Sequence, residues 1–135
     1  DYKDALSCSS RQVAAFVKWI QQQDFYENTT VILCGDHLTM AAEIGKDAPA
    51  GYNRTVYNCI LNPAAEPEQS DGRVFTTMDM FPTTLAALGV QIEGDRLGLG
   101  TNLFSGRLTL AEEIGYDALE ENVSLHSKFM DSLAH

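Results

Sequence analysis

Apolar residues recur with helical spacing near the start of the chain. Val13, Phe16, Val17 and Ile20 fall at i, i+3, i+4 and i+7, which puts them on one face of an amphipathic helix. Ser9 or Ser10 is a good N-cap, so the spacing predicts a helix over residues 10–23, with Lys18 and the three glutamines at 21–23 on its wet side. After a polar turn at 24–28 the pattern changes. Thr29-Thr30-Val31-Ile32-Leu33-Cys34 is β-branched and then continuously apolar, as in a strand buried on both faces of a parallel sheet. Residues 41–53 are small and polar and read as a surface loop. Thr55 to Leu61 reads as a second strand, stopped by Asn62-Pro63. Val74-Phe75 suggests a short third strand.

A second helix is predicted to start near Asp79 to Pro82, with Met78, Met80 and Phe81 in the core at its start. Leu85 and Leu88 supply its buried stripe, and Gly89 suits a left-handed C-terminal position. Gly94 to Gly100 contains three glycines and reads as a loop. A last helix is predicted from Asp117, with Leu119, Val123, His126, Met130 and Leu133 on its inner face. Helix and strand in alternation predict an α/β fold. The expected form is a three-layer sandwich around a small, mostly parallel sheet of three or four strands, with 29–34 and 55–61 as neighbours.

Composition narrows the function classes. The 135 residues are 44% hydrophobic and 21% charged, which is ordinary globular usage. Nine basic against nineteen acidic residues leave a net charge of −10, which argues against nucleic acid and against an anionic membrane surface. No apolar run approaches the length of a membrane span, and the N-terminus lacks the basic-then-apolar pattern of a signal peptide. Cys8, Cys34 and Cys59 have neither metal-ligand nor redox spacing and read as three reduced, partly buried thiols.

The candidate chemistry sits at the end of the first strand. Gly35-Asp36-His37 follows it directly, and in open α/β sheets ligands collect beyond the carboxyl ends of the strands. A carboxylate beside an imidazole offers a hard oxygen and a borderline nitrogen to a divalent cation. The same tripeptide also serves as a plain turn, with Asp bonded to nearby backbone N–H groups. Arg54, after the Gly51-Tyr52-Asn53 turn, is a candidate contact for an anionic substrate, set against a solvated loop arginine. Asp79 reads as a helix cap, and Gly98 and Gly100 as turn residues lacking the context of a phosphate loop.

Three blocks carry a family resemblance. Asn28 to Leu38 (NTTVILCGDHL) resembles the metal-binding strand end of sulfatase-like enzymes in the alkaline phosphatase superfamily. Thr76 to Gly89 is similar to their D-x-x-P-T-x-L-x-x-L-G helix. Gly94 to Phe104 (GDRLGLGTNLF) resembles the segment that follows in bacterial phosphoglycerol transferases and lipoteichoic acid synthases. The blocks stand in the right order and cover about residues 4–110. The resemblance implies that Asp36 and His37 ligate a divalent metal (Mn, Mg, Ca or Zn). It implies that residues 1–135 are the C-terminal part of a catalytic domain whose N-terminal half carries the nucleophile and the other ligands.

The function so implied is metal-dependent phosphoglycerol transfer to a cell-envelope glycan or lipid-linked polymer. The substrate would be an anionic lipid-derived or otherwise phosphorylated or sulfated molecule. The parent would be membrane-anchored, with this domain extracellular or periplasmic and itself soluble. Two alternatives stand beside it. One is a sulfuric ester hydrolase of the same superfamily, marked by an upstream Cys/Ser-x-Pro-x-Arg segment where the transferases use Thr. The other is a non-catalytic α/β binding module with a vestigial metal site. Taken alone the chain is expected to be inactive, and to self-associate through the unprotected apolar strand 29–34.

Overall fold

The computed structural model describes residues 1–40, 49–69 and 71–133 and divides into two compact units, Asp1–Ala64 and Ala65–His135. The first unit opens with helix α1, Tyr2–Ile20. It begins well before the predicted start because Asp1 is the N-cap. The Asp1 carboxylate accepts from the Asp4 N–H at 2.9 Å, and Asp4 reaches back to complete a capping box. Ser9 and Ser10 are interior helix residues. The apolar stripe lies where the spacing put it, but it is largely uncovered: Val13 and Phe16 are exposed, Val17 is half-buried and only Ile20 is buried. Phe16 stacks on Trp19 with ring centroids 5.9 Å apart.

Strand β1, Val31–Cys34, pairs with β2, Asn58–Leu61. The two segments are neighbours, as expected. The pairing is antiparallel rather than parallel, in the register Val31↔Leu61 to Cys34↔Asn58. The continuous apolar run pointed to burial on both faces, yet Val31, Ile32 and Leu33 are half-buried and Cys34 is exposed. Asn62 closes the far end of the pair. Its φ of 53° is tolerated by asparagine, and its amide donates to the Tyr26 and Thr29 carbonyls at 2.8 and 3.1 Å. Residues 55–57 lie outside β2, although the Tyr57 carbonyl still accepts from the Gly35 N–H at 2.8 Å. Leu33, not Cys34, faces Cys59 across the pair, so the two thiols point to opposite faces, and all three cysteines are free. Most of the loop expected over 41–53 lies outside the described residues.

The second unit is built around helix α2, Thr77–Ala87. Thr76 is its N-cap and Asp79 closes the capping box from the third position. The cap role expected of Asp79 therefore holds, two to three residues further inside the helix than predicted. Pro82 lies in the second turn, not the first. The buried face is made of small residues, Pro82, Thr83, Ala86 and Ala87, whereas Leu88 and Phe81 are exposed. Gly89, at φ 85°, ends the helix as expected, and the Val90 N–H reaches the Leu85 carbonyl at 3.0 Å. Val74 and Phe75 form no strand.

The glycine-rich segment is a hairpin. Strands β3, Arg96–Leu97, and β4, Gly100–Thr101, pair antiparallel and pack on α2. The Thr101 N–H donates to Asp79 Oδ1 at 2.7 Å, and the Leu103 N–H donates to the Thr83 hydroxyl at 3.0 Å. The long C-terminal helix expected from Asp117 is broken in two, α4 at Tyr116–Ser124 and α5 at Lys128–Leu133, after a short α3 at Leu110–Ile114. Of its predicted inner face only Leu119 is buried. His126 is exposed between α4 and α5, with Nε2 2.8 Å from Asp131. The protein is thus mixed α/β, and among the described residues its strands form two separate two-stranded antiparallel pairs.

Candidate metal centre

Asp36 and His37 leave the carboxyl end of β1, where the sequence placed them. Gly35 makes the exit possible. A Cβ on it would lie 3.0 Å from Val56 Cβ, so the chain passes close to the strand's partner before turning outward. Asp36 then folds back on its own neighbour: its Oδ1 accepts from the His37 N–H at 2.9 Å. Its other oxygen, Oδ2, lies 3.5 Å from His37 Nε2. Both side chains are open, His37 at 60% and Asp36 at 88% of full exposure.

The ring's orientation decides what the pair can hold. His37 Nδ1 lies 2.8 Å from the Leu38 carbonyl oxygen. A carbonyl only accepts, so Nδ1 carries the proton. In the neutral ring Nε2 then keeps its lone pair, beside the Asp36 carboxylate. A proton-bearing nitrogen fixed by a backbone carbonyl is the usual support for a ligating histidine. An anionic oxygen and an imidazole nitrogen side by side in the open fit a divalent cation. Among the described residues no group of three or more His, Cys, Asp and Glu gathers here or elsewhere.

Arg54 is brought to the same loop. Its Nη2 donates to the Thr39 carbonyl at 2.6 Å. On the other side the Thr39 hydroxyl lies 2.9 Å from the Tyr2 hydroxyl of α1. Nothing in the sequence signalled Thr39 or Tyr2: the contact spans 37 positions and follows from the packing of α1. Gly98 and Gly100 belong to the β3–β4 hairpin of the second unit, and Asp79 is consumed by its cap and by Thr101.

The same segments are what known proteins share with this chain. The sulfatase family model matches residues 1–90, a range that contains α1, β1, β2 and α2. Phosphoglycerol transferase I of Escherichia coli strain SE11 is 31% identical over 105 residues, covering 76% of this chain and 13% of that protein. The protein of the same name from Shigella boydii serotype 18 gives the same figures, and that of Escherichia fergusonii is 30% identical over the same length. The chain therefore spans about an eighth of the length of these curated relatives. No solved structure gives a significant match. Because the family model covers 90 of the 135 residues, including the strand end that bears Asp36 and His37, the chain belongs to the sulfatase family.

Proposed function

We propose that this chain is the C-terminal part of the catalytic domain of a metal-dependent phosphoglycerol transferase, with Asp36 and His37 as two ligands of its cation. The observation that carries this reading is the Asp36–His37 pair at the end of β1, its Nε2 lone pair set beside a carboxylate. The names of the similar proteins support a transferase. The name of the family model keeps a sulfuric ester hydrolase as the second reading.

When bound, a divalent cation would neutralise charge on the transferring group and lower the pKa of a nucleophile supplied by the rest of the parent. Asp36 contributes the negative charge that holds it. His37 contributes a neutral nitrogen, kept in one tautomer by the Leu38 carbonyl. Arg54 offers its remaining guanidinium donors to an anionic substrate group next to that loop. In the longer protein the β1–β2 pair would extend into a larger, mostly parallel sheet with helices on both faces. That sheet would cover the apolar stripe of α1. The parent would be membrane-anchored with this domain outside the cytoplasm. In this chain no described helix is long and apolar enough to cross a membrane.

In the parent enzyme, Asp36→Ala or His37→Ala should reduce turnover at least about a thousandfold, as loss of a group acting within a catalytic unit does. With the metal removed, the circular dichroism spectrum and melting temperature of the variants should match those of the wild type, because both side chains are exposed in this chain. Near-normal turnover in both variants would favour the vestigial site. The 135-residue chain alone should show no metal-dependent turnover of phosphodiesters or aryl sulfates.

Self-association should appear by light scattering at micromolar concentration. Tyr2, Leu6, Val13 and Phe16 lie exposed on α1, and β1 and β2 have no described partner beyond each other. Association should strengthen with added salt, which screens the repulsion between copies of charge −10. A monomer at every salt concentration would contradict it.

A further inference from the structure

Two kinds of contact hold the candidate ligands. The first kind is local: Asp36 accepts from the next residue's N–H, and His37 donates to the carbonyl of the residue after it. Such contacts fix Asp36 and His37 relative to each other. They would survive unchanged if the whole turn swung away from β1. The second kind is non-local: before the pair the Gly35 N–H is held by the Tyr57 carbonyl at 2.8 Å, and beyond it two side-chain contacts converge on one residue. Thr39, half-buried in a loop that is otherwise exposed beyond Gly35, meets Tyr2 of α1 through its hydroxyl and Arg54 through its carbonyl.

We infer that Tyr2, Thr39 and Arg54 form a clamp that sets the position of the Asp36–His37 pair on the fold, so that Tyr2 and Arg54 are positioning residues for the cation. The inference rests on the metal reading proposed above. Arg54 thereby has a role beyond contact with substrate. One of its N–H groups holds the loop, and its planar fork keeps the others beside it. Tyr2 lies in the first turn of α1. The Asp1 capping box fixes the first turn of the helix, and that turn carries the phenol that reaches Thr39. In the 135-residue chain, where no third His, Cys, Asp or Glu joins the pair among the described residues, no further ligand corrects a displaced pair.

The two hydroxyls make a single bond, which gives a sharp expectation. Tyr2→Phe and Thr39→Val each delete it, and the double variant should be no worse than Thr39→Val alone. Arg54→Ala removes the bond to the Thr39 carbonyl, and because both bonds share Thr39 its effect should couple to theirs rather than simply add. In the metal-free 135-residue chain, backbone NMR order parameters at residues 36–40 should fall from the rigid range, about 0.8, to below about 0.6 in Arg54→Ala combined with Thr39→Val. Helix content should not change. With Mn2+ as the probe, line broadening at Asp36 and His37 should need about fivefold more metal for each bond removed. Unchanged order parameters in every variant would overturn the clamp, whatever the metal does. Loss of order in the variants while Mn2+ leaves Asp36 and His37 of the wild-type chain unbroadened would keep the clamp and overturn the metal reading instead.

Discussion

Replacing Gly100 by alanine should strongly destabilise the unit formed by Ala65–His135. A Cβ at this position would lie 2.0 Å from the Met78 carbonyl oxygen, 2.7 Å from its carbon and 3.1 Å from Pro82 Cδ. Two of those three atoms are backbone and cannot rotate away. The close approach has a cause in α2: Pro82 has no N–H, so the Met78 carbonyl lacks its helical donor four residues on, and β4 lies against that bare stretch of helix. Neither side can retreat cheaply. The Thr101 N–H is tied to Asp79, Asp79 is tied to Thr76, and Thr83 is held between Asp79 and Leu103. The cost should be about 3 kcal/mol or more, which for a unit of this size lowers the melting temperature by on the order of 15 °C. Gly98→Ala is the control. Gly98 has φ 61° but open space around it, so the change should cost only about 1 kcal/mol. Melts of Gly100→Ala within two or three degrees (roughly) of wild type would contradict this packing.

The second large effect concerns Arg73 and Glu112, whose side chains are only 7% and 14% exposed. Glu112 accepts from Arg73 Nε and Nη2 and from the Val74 and Thr109 N–H groups. Arg73 also donates to the carbonyls of Leu103, Ser105 and Arg107. One ion pair thus ties the segment before α2, the turn after β4 and the start of α3 together. Glu112→Ala leaves the guanidinium buried without its counter-charge and should cost about 3–5 kcal/mol. Arg73→Met combined with Glu112→Leu should cost clearly less than the two single changes added together.

The same pair makes stability depend on pH. The Arg73 hydrogen bonds hold the Glu112 carboxyl down to about 2, from an ordinary value of 4.5. The folded state therefore releases this proton more readily than the unfolded chain does. The stabilisation, on the order of 3 kcal/mol, is complete above the ordinary value and is lost as pH falls through the folded one. Urea midpoints measured from pH 6 to pH 2 should fall through that window in the wild type and fall less in Glu112→Gln. Equal slopes would show that the pair is not what titrates.

Sequence made the local features legible and hid the long-range ones. The strand ending in Gly35-Asp36-His37 was readable because a β-branched run and the motif adjoin, and the proline and glycine of α2 marked its extent to within a few residues. The direction of β2 was not readable, since an apolar run says that a strand is covered without saying which way its partner runs. The stripe of α1 had the right spacing but no described cover, because periodicity names a face and not its neighbour. The start of α1 was written in Asp1-x-x-Asp4, as that of α3 is in Thr109-x-x-Glu112. Arg73 carried no signal: six of its hydrogen bonds reach residues 30 to 39 positions away. In the candidate centre Asp36, His37 and Arg54 were visible, whereas Tyr2 and Thr39 were not, because the loop is pinned by a helix from the far end of the unit.

Anomalous diffraction from crystals of the full-length parent soaked in Mn2+ locates the cation without reference to activity. The expected result is a peak within about 2.2 Å of an Asp36 carboxylate oxygen and of His37 Nε2, with Nδ1 still bonded to the Leu38 carbonyl. A strong peak held by other residues, with Asp36 and His37 turned away from it, would contradict the assignment of this strand end as the metal site.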